Sequence, residues 1–352
     1  RAMTNLERAT TPQIAVKVSG LYKIFGTHPK KMLPEVLNGM NKEQLREQFN
    51  HTLGLDNIDL EIPQGSIQVI MGLSGSGKST LVRHFNRLIE PTAGEIWVND
   101  VDVMSLPKRA LQGFRQNYLA MVFQRFALLP HYTIVENVMF GLSIKKEKAK
   151  IRQQRAQYWI ERVGLKGYED SYPNQLSGGM QQRVGLARAL ASDVPILLMD
   201  EAFSALDPLI RTDMQSMLLD LQQELGKTII FITHDLEEAL RLGDKIAVLR
   251  EGQIVQNAEP AKIIMHPADD YVKSFVKEVN RGKVIRCKSI MQRPSERTNL
   301  PEIDSETTLE DALRQLNAEQ ADAAHIVSKK GFRIGFIDIN TIVQTMLPEE
   351  KG

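Results

Sequence analysis

The sequence has 352 residues, of which 42% are hydrophobic and 25% are charged, as in an ordinary soluble globular protein. This length predicts about two domains, and the net charge of +1 gives no support to nucleic acid as a partner. No apolar run approaches the roughly 18 residues that would span a bilayer, so membrane association would require another chain. The single cysteine, Cys287, cannot form an internal disulfide, which favours a reducing cytoplasm.

The first three quarters of the chain have the pattern of an α/β protein. Residues 1–13 are expected to be disordered; from there to about residue 252, short β-branched apolar runs alternate with longer helix-like stretches. This alternation predicts a core built mainly on parallel strands. Residues 34–50 interrupt it with apolar residues spaced among charged ones, which predicts an amphipathic helical insertion. The predicted strands include Ile67–Met71, Ala120–Phe123, Ile196–Met199, Thr228–Thr233 and Lys245–Leu249.

The most informative segment spans residues 72–79 and reads Gly-Leu-Ser-Gly-Ser-Gly-Lys-Ser. It fits the pattern G-x-x-x-x-G-K-[ST] between a predicted strand and a predicted helix, where backbone N–H groups and the helix dipole bind phosphate. Lys78 would reach the β- and γ-phosphates, and the Ser79 hydroxyl would ligate Mg²⁺. The residues expected to bind the nucleoside triphosphate here are Gly72, Ser74, Gly75, Ser76, Gly77, Lys78, Ser79 and Thr80.

Polar side chains follow two more predicted strands. Asp200 and Glu201 come directly after an apolar strand, at the end where ligands bind in open α/β sheets. Asp200 would hold Mg²⁺ through water, and Glu201 would act as general base on the attacking water. His234 follows the strand Thr228–Thr233; on its own it would more often be a structural histidine than a catalytic one.

Residues 176–183, Leu-Ser-Gly-Gly-Met-Gln-Gln-Arg, resemble the L-S-G-G-x-x-x-R signature of the ATP-binding cassette (ABC) ATPases. Ser177, Gly178 and Gly179 would present backbone donors at the start of a helix, which makes a second anion site. The resemblance implies that this site closes on the γ-phosphate held by the opposite subunit, so that two chains enclose two ATP molecules.

The resemblance also assigns roles to residues outside the phosphate loop. Gln124 would contact Mg²⁺ and water and sense a membrane subunit, and the loop that ends at Asp207 would connect the two ATP sites. His234 would contact the γ-phosphate. The implied catalytic residues are Lys78, Glu201 and His234, and the implied metal-binding residues are Ser79, Gln124 and Asp200.

The segment Lys23–Gly26 resembles the family motif whose aromatic ring stacks on adenine. Phe25 is expected to provide that ring. Tyr22 is the alternative, and a third interpretation makes Phe25 a plain core residue.

The resemblance covers residues 14–280, which are expected to form the ATPase domain with a helical subdomain at about 125–190. All the expected catalytic residue types are present, which predicts an active ATPase. Two other interpretations stay open at this point: a soluble ABC ATPase in translation or DNA repair, and a regulatory module for which ATP is a signal.

Several segments resemble importer ATPases in particular. Tyr172–Gln175 and Phe126–His131 follow the importer pattern, and Pro34–Asn50, Val69–Ser74 and Arg87–Thr92 resemble the ATPases of glycine betaine, proline, choline and carnitine importers. This resemblance implies an integral-membrane permease, a substrate-binding protein outside the membrane and a second copy of the chain as partners. It also implies a position at the cytoplasmic face of the cell membrane.

Residues 281–352 are expected to form a small α/β module. Ser289–Met291, Thr307–Leu313 and Gly331–Asp338 resemble one regulatory repeat of the cystathionine-β-synthase (CBS) type. Single repeats usually pair, which predicts a dimer contact here as well. The module would respond to ionic strength or a nucleotide, or it would be a plain dimerisation domain.

Overall fold

The structure is a computed structural model that describes residues 12–347. The N-terminal segment expected to be disordered lies outside the described residues, except for residues 12 and 13. The described chain divides into two compact units. The first runs to Glu238 and includes Ala247–Ile254, whereas the second contains Ala239–Ile246 and the chain from Val255 onward. The second unit therefore includes residues 255–280, which the sequence assigned to the ATPase domain, and the boundary at residue 280 stays a prediction.

A mainly parallel sheet carries the polar residues singled out above. Its strand order is β10-β9-β3-β8-β7-β6, and β3, β8, β7 and β6 run parallel. All residues of β3 and β8 are buried, because helices cover parallel sheets on both faces. This sheet agrees with the predicted α/β fold class. The strands are β1 (Ile14–Phe25), β2 (Thr52–Pro63), β3 (Ile67–Met71), β4 (Ala93–Val98), β5 (Val101–Asp102), β6 (Leu119–Phe123), β7 (Ile196–Asp200), β8 (Thr228–Thr233), β9 (Lys245–Arg250) and β10 (Gln253–Ala258).

A second, antiparallel sheet has the order β2-β1-β4-β5 and was not separated from the first in the sequence. Along β2, buried residues such as Leu53, Leu55 and Leu60 alternate with exposed ones, as in a sheet with one solvated face. One hydrophobic cluster joins residues of both sheets, including Ile58, Ile70 and the others on their inner faces. The two sheets therefore share a core.

The helices around these sheets are α1 (Pro29–Leu37), α2 (Lys42–Phe49), α3 (Lys78–Phe85), α4 (Lys108–Tyr118), α5 (Ile134–Ile144), α6 (Ala149–Arg162), α7 (Gly178–Ala191), α8 (Pro208–Leu225) and α9 (Leu236–Leu242). The segment expected to be helical over 34–50 holds two helices. The first begins earlier than predicted, because Pro29 suits the first helical turn, where no N–H is required. Asn41 and Gln44 form a capping box that starts the second. Helices α5, α6 and α7 pack together in the segment expected to be a helical subdomain.

The second unit contains a three-stranded sheet of order β11-β12-β13, with β11 parallel and β13 antiparallel to β12. The remaining elements are α10 (Pro260–Met265), α11 (Asp270–Val276), α12 (Arg281–Val284), α13 (Cys287–Ile290), β11 (Glu302–Asp304), α14 (Leu309–Ala318), β12 (Ala323–Val327), β13 (Arg333–Asp338) and α15 (Ile339–Met346). Among the described residues, no helix is long and apolar enough to cross a membrane.

Candidate active site

The phosphate loop connects the buried strand β3 to helix α3, as its sequence predicts. A β-carbon placed on Gly72 would lie 2.5 Å from the carbonyl oxygen of Leu249, so only glycine fits there. Gly77 caps α3 with a φ of 104°, a conformation that also favours glycine. The buried Ser76 Oγ has no hydrogen-bond partner among the described residues. The loop therefore offers an unused hydroxyl together with the free N–H groups of the helix start, and these fit a phosphate group.

Lys78 folds back over this loop. Its ammonium donates hydrogen bonds to the carbonyl oxygens of Gly72 at 2.7 Å and Leu73 at 3.0 Å. Burial lowers the pKa of Lys78, and the nearby carboxylates of Glu201 and Asp200 oppose that shift. The two carbonyls hold the ammonium at the cleft, where it can bind the phosphates of a nucleotide.

Asp200 lies across the cleft from α3. The Ser79 hydroxyl donates a hydrogen bond to Asp200 Oδ1 at 3.2 Å, although the two residues are 121 positions apart. Burial raises the pKa of Asp200, the bond from Ser79 lowers it, and the charge of Glu201 raises it further. Among the described residues, no group of three or more histidine, cysteine or carboxylate side chains could hold a metal. The oxygen atoms of Ser79 and Asp200 are the type of ligand that Mg²⁺ takes beside nucleotide phosphates.

Glu201 and His234 face each other in an open cleft of about 500 Å³ that the phosphate loop also lines. His234 Nδ1 lies 3.5 Å from Glu201 Oε1. Glu201 adopts a left-handed φ of 47°, and its N–H donates to the carbonyl oxygen of Ile232 at 3.0 Å. Its own carbonyl oxygen accepts from the Ser204 hydroxyl at 2.9 Å. Strained backbone held at both ends is typical of functional sites.

Gln124 lies in the same region as Ser79, Asp200 and Glu201. It lines a second cleft of about 420 Å³ together with Ser79, Asp200 and Glu201. Arg83 also lines this cleft, and its charge acts to lower the pKa of Asp200. The structure thus places all three predicted metal-binding residues beside one another.

The Phe25 ring is 41% exposed and lies against Gly54, where a β-carbon would lie 2.6 Å from Cε2 of the ring. The carbonyl oxygen of Gly54 in turn lies beside Gly77 of the phosphate loop. The Lys23 ammonium lies 5.1 Å from the centre of the Phe25 ring. Tyr22, the alternative, packs against the small core under helices α1 and α2. These positions favour Phe25 over Tyr22 as the exposed stacking ring.

The signature residues lie outside the two clefts described above. The Ser177 hydroxyl caps α7 by accepting a hydrogen bond from the N–H of Met180 at 3.3 Å. A β-carbon placed on Gly179 would lie 2.6 Å from Cγ2 of Ile210 on α8. Asp207 is exposed where α8 begins. None of Ser177, Gly178, Gly179 and Asp207 is among the residues that line the two clefts described above.

Two arginines that the sequence did not single out connect the loops of this site. The Arg211 guanidinium donates to the carbonyl oxygens of Ser204 and Leu206 at 3.2 Å and to Asp235 Oδ2 at 3.3 Å. It thereby ties the loop after Glu201 to the loop that carries His234. Arg188 holds the loop after Gln124 in a similar way. Neither arginine has a sequence signal, because an arginine in an amphipathic helix usually belongs to a solvated face.

Comparison with known proteins identifies the family of this chain. The model of the family described as "ABC transporter" matches residues 55–204. The glycine betaine transport ATP-binding protein OpuAA of Bacillus subtilis is 53% identical over 280 residues, which cover 80% of this chain and 67% of that protein. The glycine betaine/proline betaine transport system ATP-binding protein ProV of Escherichia coli is 43% identical over 339 residues, or 96% of this chain and 84% of ProV.

Among solved structures, the ATP-binding cassette MJ0796 in a dimeric post-hydrolysis state bound to ADP and Pi superposes with a TM-score of 0.58. It is 32% identical and covers 70% of this chain and 98% of its own. These similarities support a transport role and leave the interpretation as a translation or DNA-repair protein without support. The chain therefore belongs to the ABC transporter family, as an ATP-binding and ATP-hydrolysing subunit that couples ATP to transport.

Proposed function

We propose that this chain energises the import of glycine betaine and related compatible solutes. The observation that carries the ATPase role is the cleft in which the phosphate loop, Glu201 and His234 meet. The solute class rests on the similarity to OpuAA and ProV, whose names specify glycine betaine and proline betaine. Both solutes carry a methylated ammonium group, which a permease or binding protein would recognise through aromatic side chains.

In this proposal, each residue of the cleft has a chemical task. The phosphate loop and Lys78 bind the phosphates, and the Phe25 ring stacks on adenine. Glu201 accepts a proton from the attacking water, and His234 contacts the γ-phosphate. Ser79, Asp200 and Gln124 would hold Mg²⁺, which neutralises phosphate charge when bound.

A second copy of the chain completes the site. Because Ser177, Gly178 and Gly179 lie outside both clefts of their own chain, we propose that they cover the γ-phosphate in the partner copy. Asp207 would then lie at the contact between the two copies. The dimeric state of the MJ0796 structure supports this arrangement.

We further propose that the dimer binds a membrane permease at the cytoplasmic face of the cell membrane, with a substrate-binding protein on the other side. The Phe123 ring directly before Gln124 is 37% exposed, and the Phe140 ring, which contacts Tyr132, is 38% exposed. Such rings suit the burial of a short permease helix in a groove.

The test is to purify the chain with its partners from native membranes, identify them by mass spectrometry and reconstitute the complex in proteoliposomes. We expect a polytopic permease, and ATP-dependent uptake of glycine betaine. Glycine is the matched control solute, because it has the same carboxylate but lacks the three N-methyl groups. Ribosomal or DNA-repair partners, or equal uptake of both solutes, would contradict the proposal.

We also propose that the module from residue 281 onward is a CBS-like unit through which two chains pair or are regulated. Its strands and helices follow the order β11-α14-β12-β13-α15, and Arg286 and Lys288 both pair with Glu306 on its surface. Sedimentation of the full chain without nucleotide tests pairing. A dimer that persists without ATP supports pairing of the chains, and a monomer contradicts pairing.

A further inference from the structure

The loop that follows Gln124 is fastened to the helix that follows the signature. The Arg188 side chain on α7 donates one hydrogen bond to the carbonyl oxygen of Ala127 at 2.9 Å and another to that of Phe126 at 3.3 Å. Burial lowers the pKa of Arg188. Within residues 12–347, no carboxylate forms an ion pair with it, so the two backbone carbonyls are the partners that the structure gives this charge.

The backbone of the loop is strained at the point where Arg188 binds it. Ala127 has a φ of 48°, in the left-handed region that costs an L-residue roughly 1–2 kcal/mol. Charge-assisted hydrogen bonds to the carbonyls of Ala127 and Phe126 can offset such a cost. Arg188 therefore stabilises a loop conformation that the local sequence does not favour.

Phe126 extends the contact along α7 to the signature itself. A β-carbon placed on Gly185 would lie 3.8 Å from the carbonyl oxygen of Phe126, and one placed on Gly178 would lie 3.8 Å from Cζ of its ring. The residue thus spans α7 from Gly185 to Gly178, two turns apart. Both distances are ordinary van der Waals separations, which places Phe126 directly beside α7 at these two positions.

We propose that Arg188 is a positioning residue that latches the Gln124 loop to α7, so that Gln124 and the signature at Ser177–Gly179 move together. Gln124 lines the cleft of its own chain, whereas the signature lies outside it. A protein that displaces this loop would therefore change the chain's own ATP site. It would also change the signature that the chain contributes to the ATP site of the second copy. The inference rests on the roles proposed above for Gln124 and the signature.

The chain contains a matched control for this contact. Arg115 on α4 donates to the carbonyl oxygens of Asn86 at 2.8 Å and Arg87 at 2.9 Å, and Arg87 has a left-handed φ of 52°. Like Arg188, it donates to the carbonyl oxygens of two consecutive residues, the second of which has a left-handed φ. The Arg188 bonds hold Ala127, which lines the second cleft, to the signature helix. The Arg115 bonds hold Asn86 and Arg87, which line neither cleft, and they do not involve the signature helix.

The experiment is a double-mutant cycle on the ATP hydrolysis rate of the full chain. R188K keeps the charge but removes the planar guanidinium, whose two terminal nitrogens bond the two carbonyls separately. We expect it to lower kcat about tenfold while the Kd of a fluorescent ATP analogue stays within about twofold, because the phosphate loop is untouched. R188K combined with Q124A should lower kcat no more than the stronger single change, since both act through one loop.

R115K is expected to reduce thermal stability to a similar degree as R188K, and its effect on kcat should multiply with that of Q124A. Multiplying effects for R188K and Q124A would overturn the latch. An unchanged kcat in Q124A alone would instead overturn the role proposed for Gln124. In that case the cycle is made with F126A and R188K. If R188K does not fold, the cycle is made with F126A and Q124A. Multiplying effects of the two changes in either cycle would overturn the latch.

Discussion

The backbone at Glu201 constrains what can replace this residue. Its left-handed φ is held by Ile232 on one side and Ser204 on the other. Glutamine has the same length and branching as glutamate and should keep this conformation, whereas a β-branched residue would be strained there. Glu201→Gln therefore removes the base and preserves the geometry.

We expect Glu201→Gln to bind ATP like the unchanged chain and to lower turnover by about 10²–10⁴-fold, the usual contribution of a general base. Phosphate release under single-turnover conditions and equilibrium nucleotide binding would measure the two effects separately. Turnover close to that of the unchanged chain would contradict the assignment of Glu201 as general base.

Asp200 is expected to lower the stability of the nucleotide-free chain at neutral pH. Because burial raises the pKa of this carboxyl in the folded state, the stabilising protonated form is lost as pH rises from the ordinary value of 3.8 through the raised pKa. Asp200→Asn should therefore raise the melting temperature at pH 7 and abolish Mg²⁺-dependent hydrolysis. The asparagine oxygen can still accept the bond from Ser79. A lower melting temperature in calorimetry would contradict this account.

His84 in α3 should make the chain sensitive to acid. It is fully buried, its Nδ1–H donates to the carbonyl oxygen of Thr80, and burial lowers its pKa from 6.5 to about 4. A lowered histidine pKa means that stability is full above pH 6.5 and falls as pH drops toward 4, by at most about 3 kcal/mol. His84→Gln should reduce the change in the free energy of unfolding, measured with urea, between pH 6.5 and pH 4. The exposed His266→Gln is the control, and equal slopes in both variants would contradict the prediction.

At the scale of elements, the inserted helices α1 and α2 are tied to the nucleotide site through His51. Its Nδ1–H donates to the carbonyl oxygen of Phe49 at 2.6 Å, and its Nε2 accepts from the N–H of His28 at 3.1 Å. A β-carbon on Gly26 would lie 2.1 Å from the His51 ring. The buried imidazole thus fixes the chain immediately after Phe25.

We expect His51→Ala to raise KM for ATP several-fold with little change in kcat, because the adenine-stacking ring loses its support while the catalytic cleft is intact. Asn41→Ala is the matched control: it removes the capping box of α2 at a cost of about 1 kcal/mol and leaves the Phe25 loop alone. Equal KM values for the unchanged chain and His51→Ala, measured by steady-state ATP titration, would contradict the role of His51.

The elements also show which features a sequence can reveal. The phosphate loop and the Asp200–Glu201 pair were predictable, because their chemistry depends on residues that are adjacent in sequence. The Ser79–Asp200 hydrogen bond joins residues 121 positions apart, and the Arg188 latch joins residues 61 and 62 apart. Such bonds depend on how strands and helices pack, and the residue types alone do not specify them. The antiparallel sheet was missed for the same reason, since strand pairing is a tertiary choice.

At the scale of the whole molecule, the separation of signature and cleft can be tested with two defective chains. Lys78→Ala removes the phosphate contact and Ser177→Arg blocks the signature, so each variant alone should be inactive. A mixed dimer has one site with intact Lys78 and an intact signature from the partner. We expect mixing to restore about a quarter of the unchanged activity, if dimers form at random. No restoration would mean that each signature serves its own chain.

The same separation makes the rate of ATP hydrolysis depend on dimer formation. Since Ser177–Gly179 lie outside the clefts of their own chain, turnover should rise with the square of protein concentration once the solution is dilute enough for the two copies to separate. Newly made chains that have not yet bound a second copy would then hydrolyse almost no ATP. Docking on a permease would raise the effective concentration of two copies to the millimolar range, and hydrolysis would be confined to assembled complexes without a separate inhibitor.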